Sequence, residues 1–178
     1  MATSPVISRV DLMVGLEIHV ELATRTKMFS RALSPAFAGQ EDASPNTYID
    51  PLVLALPGSL PVMNKRAVEM SMLVGLALNC TIPPRTKWDR KSYFYPDLPK
   101  SYQISQYDLP IVGEGELILD MPDGGTRTVG IERLHLEQDA GKSIHDMHPS
   151  KSFIDLNRSG VALRSEEHTS ELQSQFRI

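Results

Sequence analysis

Met13 to Leu22 reads MVGLEIHVEL, and its strict alternation is the first decision about the fold. Val14, Leu16, Ile18, Val20 and Leu22 fall on one side of an extended chain, and Gly15, Glu17, His19 and Glu21 on the other. That pattern predicts a half-buried strand whose polar face carries acid, imidazole and acid in turn. A second tract, RTVGIERLHLE from Arg127 to Glu137, alternates in the same sense. Leu134 and Leu136 are expected to face the core, and Arg133, His135 and Glu137 the other side. ELILD at 116–120 precedes it across the turn Pro122-Asp123-Gly124-Gly125, so an antiparallel hairpin is expected.

Around these strands the chain is less regular. Thr24 to Asp50 is polar and rich in Ser and Pro and reads as loop, and the apolar run Pro51 to Leu60 reads as a short extended piece. Asn64 is placed to cap a helix from Lys65 to about Leu78, because Ala67, Met70, Val74, Leu76 and Leu78 recur at helical spacing and Pro83-Pro84 block continuation. Thr86 to Pro110 is basic and aromatic, and Pro96 and Pro99 argue for a shaped loop. Asp139 to Ser152 has no period, and Phe153 to Leu156 is a further short extended piece.

Composition limits the function. The chain has 178 residues, 41% of them hydrophobic, and a net charge of −4, so it suits one globular domain and has no overall field to attract nucleic acid. Cys80 is the single cysteine, which excludes an internal disulfide and fits a reducing compartment; no apolar stretch is long enough to span a bilayer, so no membrane role and a cytoplasmic site in a bacterium are expected. No Walker-type glycine loop and no GxSxG elbow is present, so a nucleotide would be held through metal and side chains.

Two groups of residues can carry chemistry. Glu17, His19 and Glu21 lie about 6–7 Å apart along one strand face, and Arg133, His135 and Glu137 could complete a mixed carboxylate and imidazole shell with a cation for phosphate. The competing reading is a sheet with one solvated face, where such residues are ordinary. The aromatic loop, with Lys87, Arg90, Lys91 and Lys100, suits stacking on bases beside phosphates, or equally a rigid packed lid. His145 and His148 read as solvated loop residues.

Five segments in order, VGLEIHVEL, LPGSLPVMNKRAVE, DRKSYFYPDLPKSYQISQYDLPI, IERLHLEQDAGKS and DLNRSGVAL, resemble the B subunit of the aspartyl/glutamyl-tRNA amidotransferases over residues 11–163. The resemblance implies an α+β fold, an antiparallel-sheet cradle related to glutamine synthetase and the guanidino kinases, with which the expected hairpin agrees. It implies that the side-chain carboxylate of Glu on tRNA-Gln, or Asp on tRNA-Asn, is phosphorylated with ATP and Mg²⁺ and then amidated with ammonia from an A subunit, in a heterotrimer with a C subunit. By the same resemblance Glu17, His19 and Glu137 are metal ligands, Arg133 and His135 are catalytic residues beside phosphate, and Lys100, Tyr102 and Gln103 bind ATP or tRNA. Where many members have two acids after HL, this chain has Glu137-Gln138.

The expected organisation is an N-terminal extension at 1–10, the front part of the cradle at 11–163, and a non-native tail at 164–178. RSEEHTSELQS in that tail resembles the translation of a sequencing-library adapter, and its residues are assigned no role. A fragment of this kind is expected to be inactive alone. The alternative is a non-catalytic module that binds the partner subunits, and a different metal-dependent ATP-using enzyme of the same broad fold is a third possibility.

Overall fold

The structure is a computed structural model and describes residues 16–39 and 43–169. The expected extension at 1–10 and the end of the expected tail, from residue 170, lie outside the described residues. The order of elements is β1 (Leu16–Glu21), α1 (Pro35–Ala38), α2 (Lys65–Ala77), β2 (Asp89–Ser92), β3 (Tyr102–Ser105), β4 (Gly115–Asp120), β5 (Thr126–Gln138), β6 (Lys142–Ile144), β7 (Phe153–Asp155) and β8 (Ala162–Thr169). This is an α+β arrangement in which the main sheet has the order β1-β8-β5-β4, with each neighbouring pair antiparallel.

The hairpin expected from sequence is β4 and β5, in register from Gly115 opposite Ile131 to Asp120 opposite Thr126. Its turn closes through the Met121 amide on the Gly125 carbonyl, with Gly124 at φ +82°, where a side chain would be strained. β8 lies between β1 and β5 and pairs with both. Its ladder runs from Ala162 through Arg164 and Ser165, both buried, to Thr169, across the expected boundary at Leu163. A polar stretch with no apolar period can form a strand here because its backbone groups are satisfied on both sides.

Helix α2 forms where its cap and spacing predict, and the Asn64 side chain accepts the Arg66 amide. The expected face packs inward in the main: Ala67 is fully buried and Met70, Val74 and Leu78 lie against the core, joined by Ser71 and Gly75, while Leu76 is 60% exposed and Leu73 58%. A Cβ on Gly75 would meet the Val112 side chain at 2.7 Å, so a small face lets the helix approach closely. Behind it lies a core that includes Met28, Phe29, Ile104, Val112, Leu134 and Leu136.

Three local readings are corrected. Pro51 to Leu60 is a series of turns, in which the Asp50 side chain accepts the Val53 amide and the Pro51 carbonyl the Leu56 amide. The segment read as a shaped loop contains the β2–β3 hairpin, with Asp89 opposite Ser105 and Ser92 opposite Tyr102. Pro96 and Pro99 fall in the connection beyond the ladder, where no amide is needed for pairing. The tract read as loop over 139–152 also contributes β6, which pairs with β7. Among the described residues, no helix is long and apolar enough to cross a membrane.

Candidate functional site

Three strands place polar side chains on one face of the main sheet. Cross-strand partners share a face, and the register puts His19 opposite Ser165 and Ser165 opposite His135. One row therefore crosses the sheet as His19, Ser165, His135. Alternation puts Glu17 on the same face of β1, and Arg133 and Glu137 on the same face of β5. A break in register between Ile131 and Arg133 precedes this stretch of β5 and leaves the polar alternation beyond it intact.

On β1, Glu17 Oε1 lies 2.8 Å from His19 Nε2 and accepts a hydrogen bond from Ser165 Oγ at 2.9 Å. The His19 hydrogen bond, then that from Ser165, hold the Glu17 carboxyl below its ordinary value, against a smaller opposing effect of burial. Strand β1 is at the edge of the sheet and both of its faces are open, with Ile18 44% and Val20 38% exposed. The expected half-buried strand is thus corrected: α2 packs on β5 and does not cover the apolar side of β1.

On β5 the corresponding group is buried, His135 being 6% and Glu137 5% exposed. His135 Nε2 is 3.7 Å from Glu137 Oε2, which also accepts a hydrogen bond from Ser105 Oγ at 3.2 Å. Burial pushes the Glu137 carboxyl up, but His135, Lys91 and Ser105 outweigh it and hold it below its ordinary value. The cover is the β2–β3 hairpin. Gln103 Nε2 donates to the Gln138 carbonyl at 2.6 Å, and Lys91, opposite Gln103 in the hairpin, adds a positive charge whose field helps hold Glu137 ionised. Arg133 stacks over Tyr107, 4.8 Å from the ring centroid.

The sequence candidates therefore fall into two groups. Glu17 and His19 meet each other on an open strand, and His135 and Glu137 meet under the hairpin, whose Gln103 bonds the neighbouring Gln138 carbonyl. Tyr102 lies on the hairpin's other face, where Arg90 and Lys100 approach its ring at 4.9 and 5.3 Å. Lys100 donates to the Gln138 side-chain oxygen and lines a small cleft with Ser30, Ser159 and Gly160; burial pushes its ammonium down to about 8. Among the described residues, no three His, Cys, Asp or Glu side chains converge to hold a metal unaided. His145 is exposed, bonded to Ser152, as expected of a loop histidine.

Three participants escape the sequence reading. Ser165 falls in the stretch expected to be tail, and Ser105 carries no signal apart from its register in an unexpected hairpin, whereas Lys91, read only as a loop cation, acts on Glu137. Asp139, next to Gln138, lies near Glu21 and pairs with Arg158 at 3.2 Å. Burial above all pushes its carboxyl up to about 6, with Arg158 opposing and Glu21 adding to the rise.

The whole face lies within a stretch that matches a known family: residues 12–173 fit the model described as the GatB/GatE catalytic domain. Over 153 residues the chain is 61% identical to the B subunit of the aspartyl/glutamyl-tRNA(Asn/Gln) amidotransferase of Paramagnetospirillum magneticum, covering 86% of this chain and 30% of that protein. Proteins of the same name from a Methylobacterium species and from Rhodopseudomonas palustris are 57% and 55% identical over the same shares. The chain thus spans about a third of the length of these relatives. With most of its length matched, the chain belongs to the GatB/GatE catalytic-domain family.

Proposed function

We propose that this chain is the front part of a subunit that activates the side-chain carboxylate of a misacylated tRNA, Glu on tRNA-Gln or Asp on tRNA-Asn, for amidation. The observation that carries the reading is the row His19–Ser165–His135, with Glu17 and Glu137 on the same face. The relatives' name supplies the reaction class. In this reading the sheet is the cradle of a glutamine synthetase-like fold.

A carboxylate oxygen is a poor leaving group, and phosphorylation by ATP makes it a good one. The donor set suits Mg²⁺, which prefers oxygen ligands and usually binds through one or two carboxylates together with substrate phosphates. Two carboxylates on one face, with no closed cage, fit that habit. Glu17, His19 and Glu137 would hold the ion, which when bound would offset the charge clash between ATP and the carboxylate. His19 orients Glu17 through their hydrogen bond. Ser165 keeps Glu17 ionised. Arg133 and His135 face the transferring phosphate, and Lys100, Tyr102 and Gln103 hold the ATP or tRNA end of the site. Ammonia comes from an A subunit, and a C subunit completes the heterotrimer, which works in the cytoplasm.

Full-length protein with its A and C subunits should convert Glu-tRNA-Gln to Gln-tRNA-Gln, and Glu17→Ala or His19→Ala should abolish the conversion. Normal turnover by either variant overturns the site. A second reading, a non-catalytic module that docks the partner subunits, is favoured by the outward-facing Leu73 and Leu76 of α2. Calorimetric titration with Mg²⁺ and ATP separates the two: a binding heat that is lost in Glu137→Ala supports the site, and no heat in the parent protein supports the docking module.

A further inference from the structure

Strand β5 has β8 along one edge from Gly130 to Gln138, but its other edge is only partly paired. β4 accompanies it as far as Ile131, and Val112 then bridges Leu134, each donating its amide to the other's carbonyl, at 3.2 and 3.1 Å. Every second residue of an antiparallel strand turns its amide and carbonyl to the same edge, so Leu136 and Gln138 present theirs where Leu134 does. Leu136 is fully buried and Gln138 is 2% exposed, which shuts water out. No strand pairs with them on that edge among the described residues.

Side-chain amides fill the gap. Gln106, 3% exposed and one residue past the end of β3, accepts the Leu136 amide at its Oε1, 3.1 Å away, and Gln103 Nε2 donates to the Gln138 carbonyl. Gln106 is engaged on all sides. Its Oε1 also accepts the Ile111 amide at 3.2 Å, and its Nε2 donates to the Thr86 hydroxyl and the Lys87 carbonyl. A primary amide has two donor hydrogens and two acceptor lone pairs, and here all four are used. The side chain is thereby held in one orientation, and it ties the chain entering β2 and the chain leaving β3 to β5.

That orientation bears on the site because of its neighbours. Ser105 precedes Gln106 and Glu137 follows Leu136, so the bond from Leu136 to Gln106 lies one residue from each member of the Ser105–Glu137 pair. Ser105 Oγ donates to Glu137 Oε2 at 3.2 Å, already long for a hydroxyl donor, so a small displacement of the hairpin breaks it.

We propose that Gln106 is a positioning residue for the Glu137 side of the sheet: its side-chain amide takes the place of a strand beside Leu136 and so sets Ser105 against the Glu137 carboxylate. Gln106 acts through Ser105. Its consequence for function rests on the reading of Glu137 as a metal ligand, to which it adds the group that aims that ligand.

The first test needs no metal. The side-chain carboxyl carbon of Glu137, read by NMR in the whole chain near neutral pH, should move in Ser105→Ala. Gln106→Leu should move it in the same direction by a comparable amount and leave the Glu17 carboxyl where it was. Thr86→Val, at an exposed position, removes one partner of Gln106 Nε2 and should give a smaller shift of the same sign, which decides the matter if Gln106→Leu does not fold. The second test is calorimetric titration with Mg²⁺ in the presence of ATP. Losing a group that orients a metal ligand weakens metal binding by about tenfold or more, so Ser105→Ala and Gln106→Leu should each do so. The double variant should bind no more weakly than Gln106→Leu alone, because the two act along one path. A Glu137 resonance that stays put in Gln106→Leu, or in Thr86→Val where the first does not fold, overturns the proposal, and so does a double variant in which the two losses multiply. If the resonance moves as expected but the parent chain binds no Mg²⁺, the metal reading falls and the positioning of Glu137 stands.

Discussion

β1 and β5 carry nearly the same polar pattern, Glu-x-His-x-Glu at 17–21 and Arg-x-His-x-Glu at 133–137, and the sheet treats them in opposite ways. β1 is an edge strand with both faces open, while β5 is interior, under α2 on one side and the β2–β3 hairpin on the other. Their carboxylates end up held low for different reasons. Glu17 depends on its immediate neighbours in an open setting, whereas Glu137 is buried and must be stabilised against that burial by His135, Lys91 and Ser105. Alternation thus decides which residues share a face. It does not decide whether that face meets water.

The largest effect should come from truncating the covered strand. Leu134, fully buried, should cost about 2–5 kcal/mol as Leu134→Ala in a denaturant melt, whereas Ile18→Ala on β1 should stay within about 0.5 kcal/mol. Similar losses at the two positions would break the contrast between edge and interior. Next is the contact that covers β5. Gly75→Ala places a methyl against Val112 and should cost about 1–3 kcal/mol by overpacking. Thermal unfolding that is unchanged would mean α2 has room to shift.

The acid limb of stability should sharpen the comparison. Both carboxyls titrate below their ordinary value of 4.5 when folded, so the stability they contribute is present above that pH and is lost as pH falls through the folded values. Glu17→Gln and Glu137→Gln should each flatten the fall, followed by denaturant melts from about pH 6 downward. High salt should erase the Glu17 contribution, which is exposed to screening, and spare that of Glu137. The smallest effect is on one titration. His19→Ala should raise the Glu17 value more than Ser165→Ala does, read from its carboxyl resonance by NMR, while Glu137 stays where it was. An unmoved Glu17 in Ser165→Ala would detach β8 from the site.

Much of the frame was legible because its signals are local. The β4–β5 hairpin has its turn residues and alternation, α2 has its cap and its proline stop, and both form as read. The β2–β3 hairpin was hidden because Pro96 and Pro99 look like breakers, though they lie outside its ladder. The strand β8 was hidden because Arg164 to Thr169 has no apolar period and reads as a tail. In the site, Glu17, His19, His135 and Glu137 could be named from strand spacing and family resemblance, but Ser165, Ser105 and Asp139 could not. Their role is one of register and approach, which no spacing within a single segment records.

The sequence by itself determined the α+β class, the family, the capped helix and the polar face of each strand, because these follow from contacts between residues close along the chain. Only the tertiary structure decided that β8 lies between β1 and β5, that α2 packs by its small residues, and that one acid–imidazole pair is open and the other covered. Those outcomes depend on which strands become neighbours and what packs above them. Two strands of like pattern can therefore differ in burial, and with it in how their charges are stabilised.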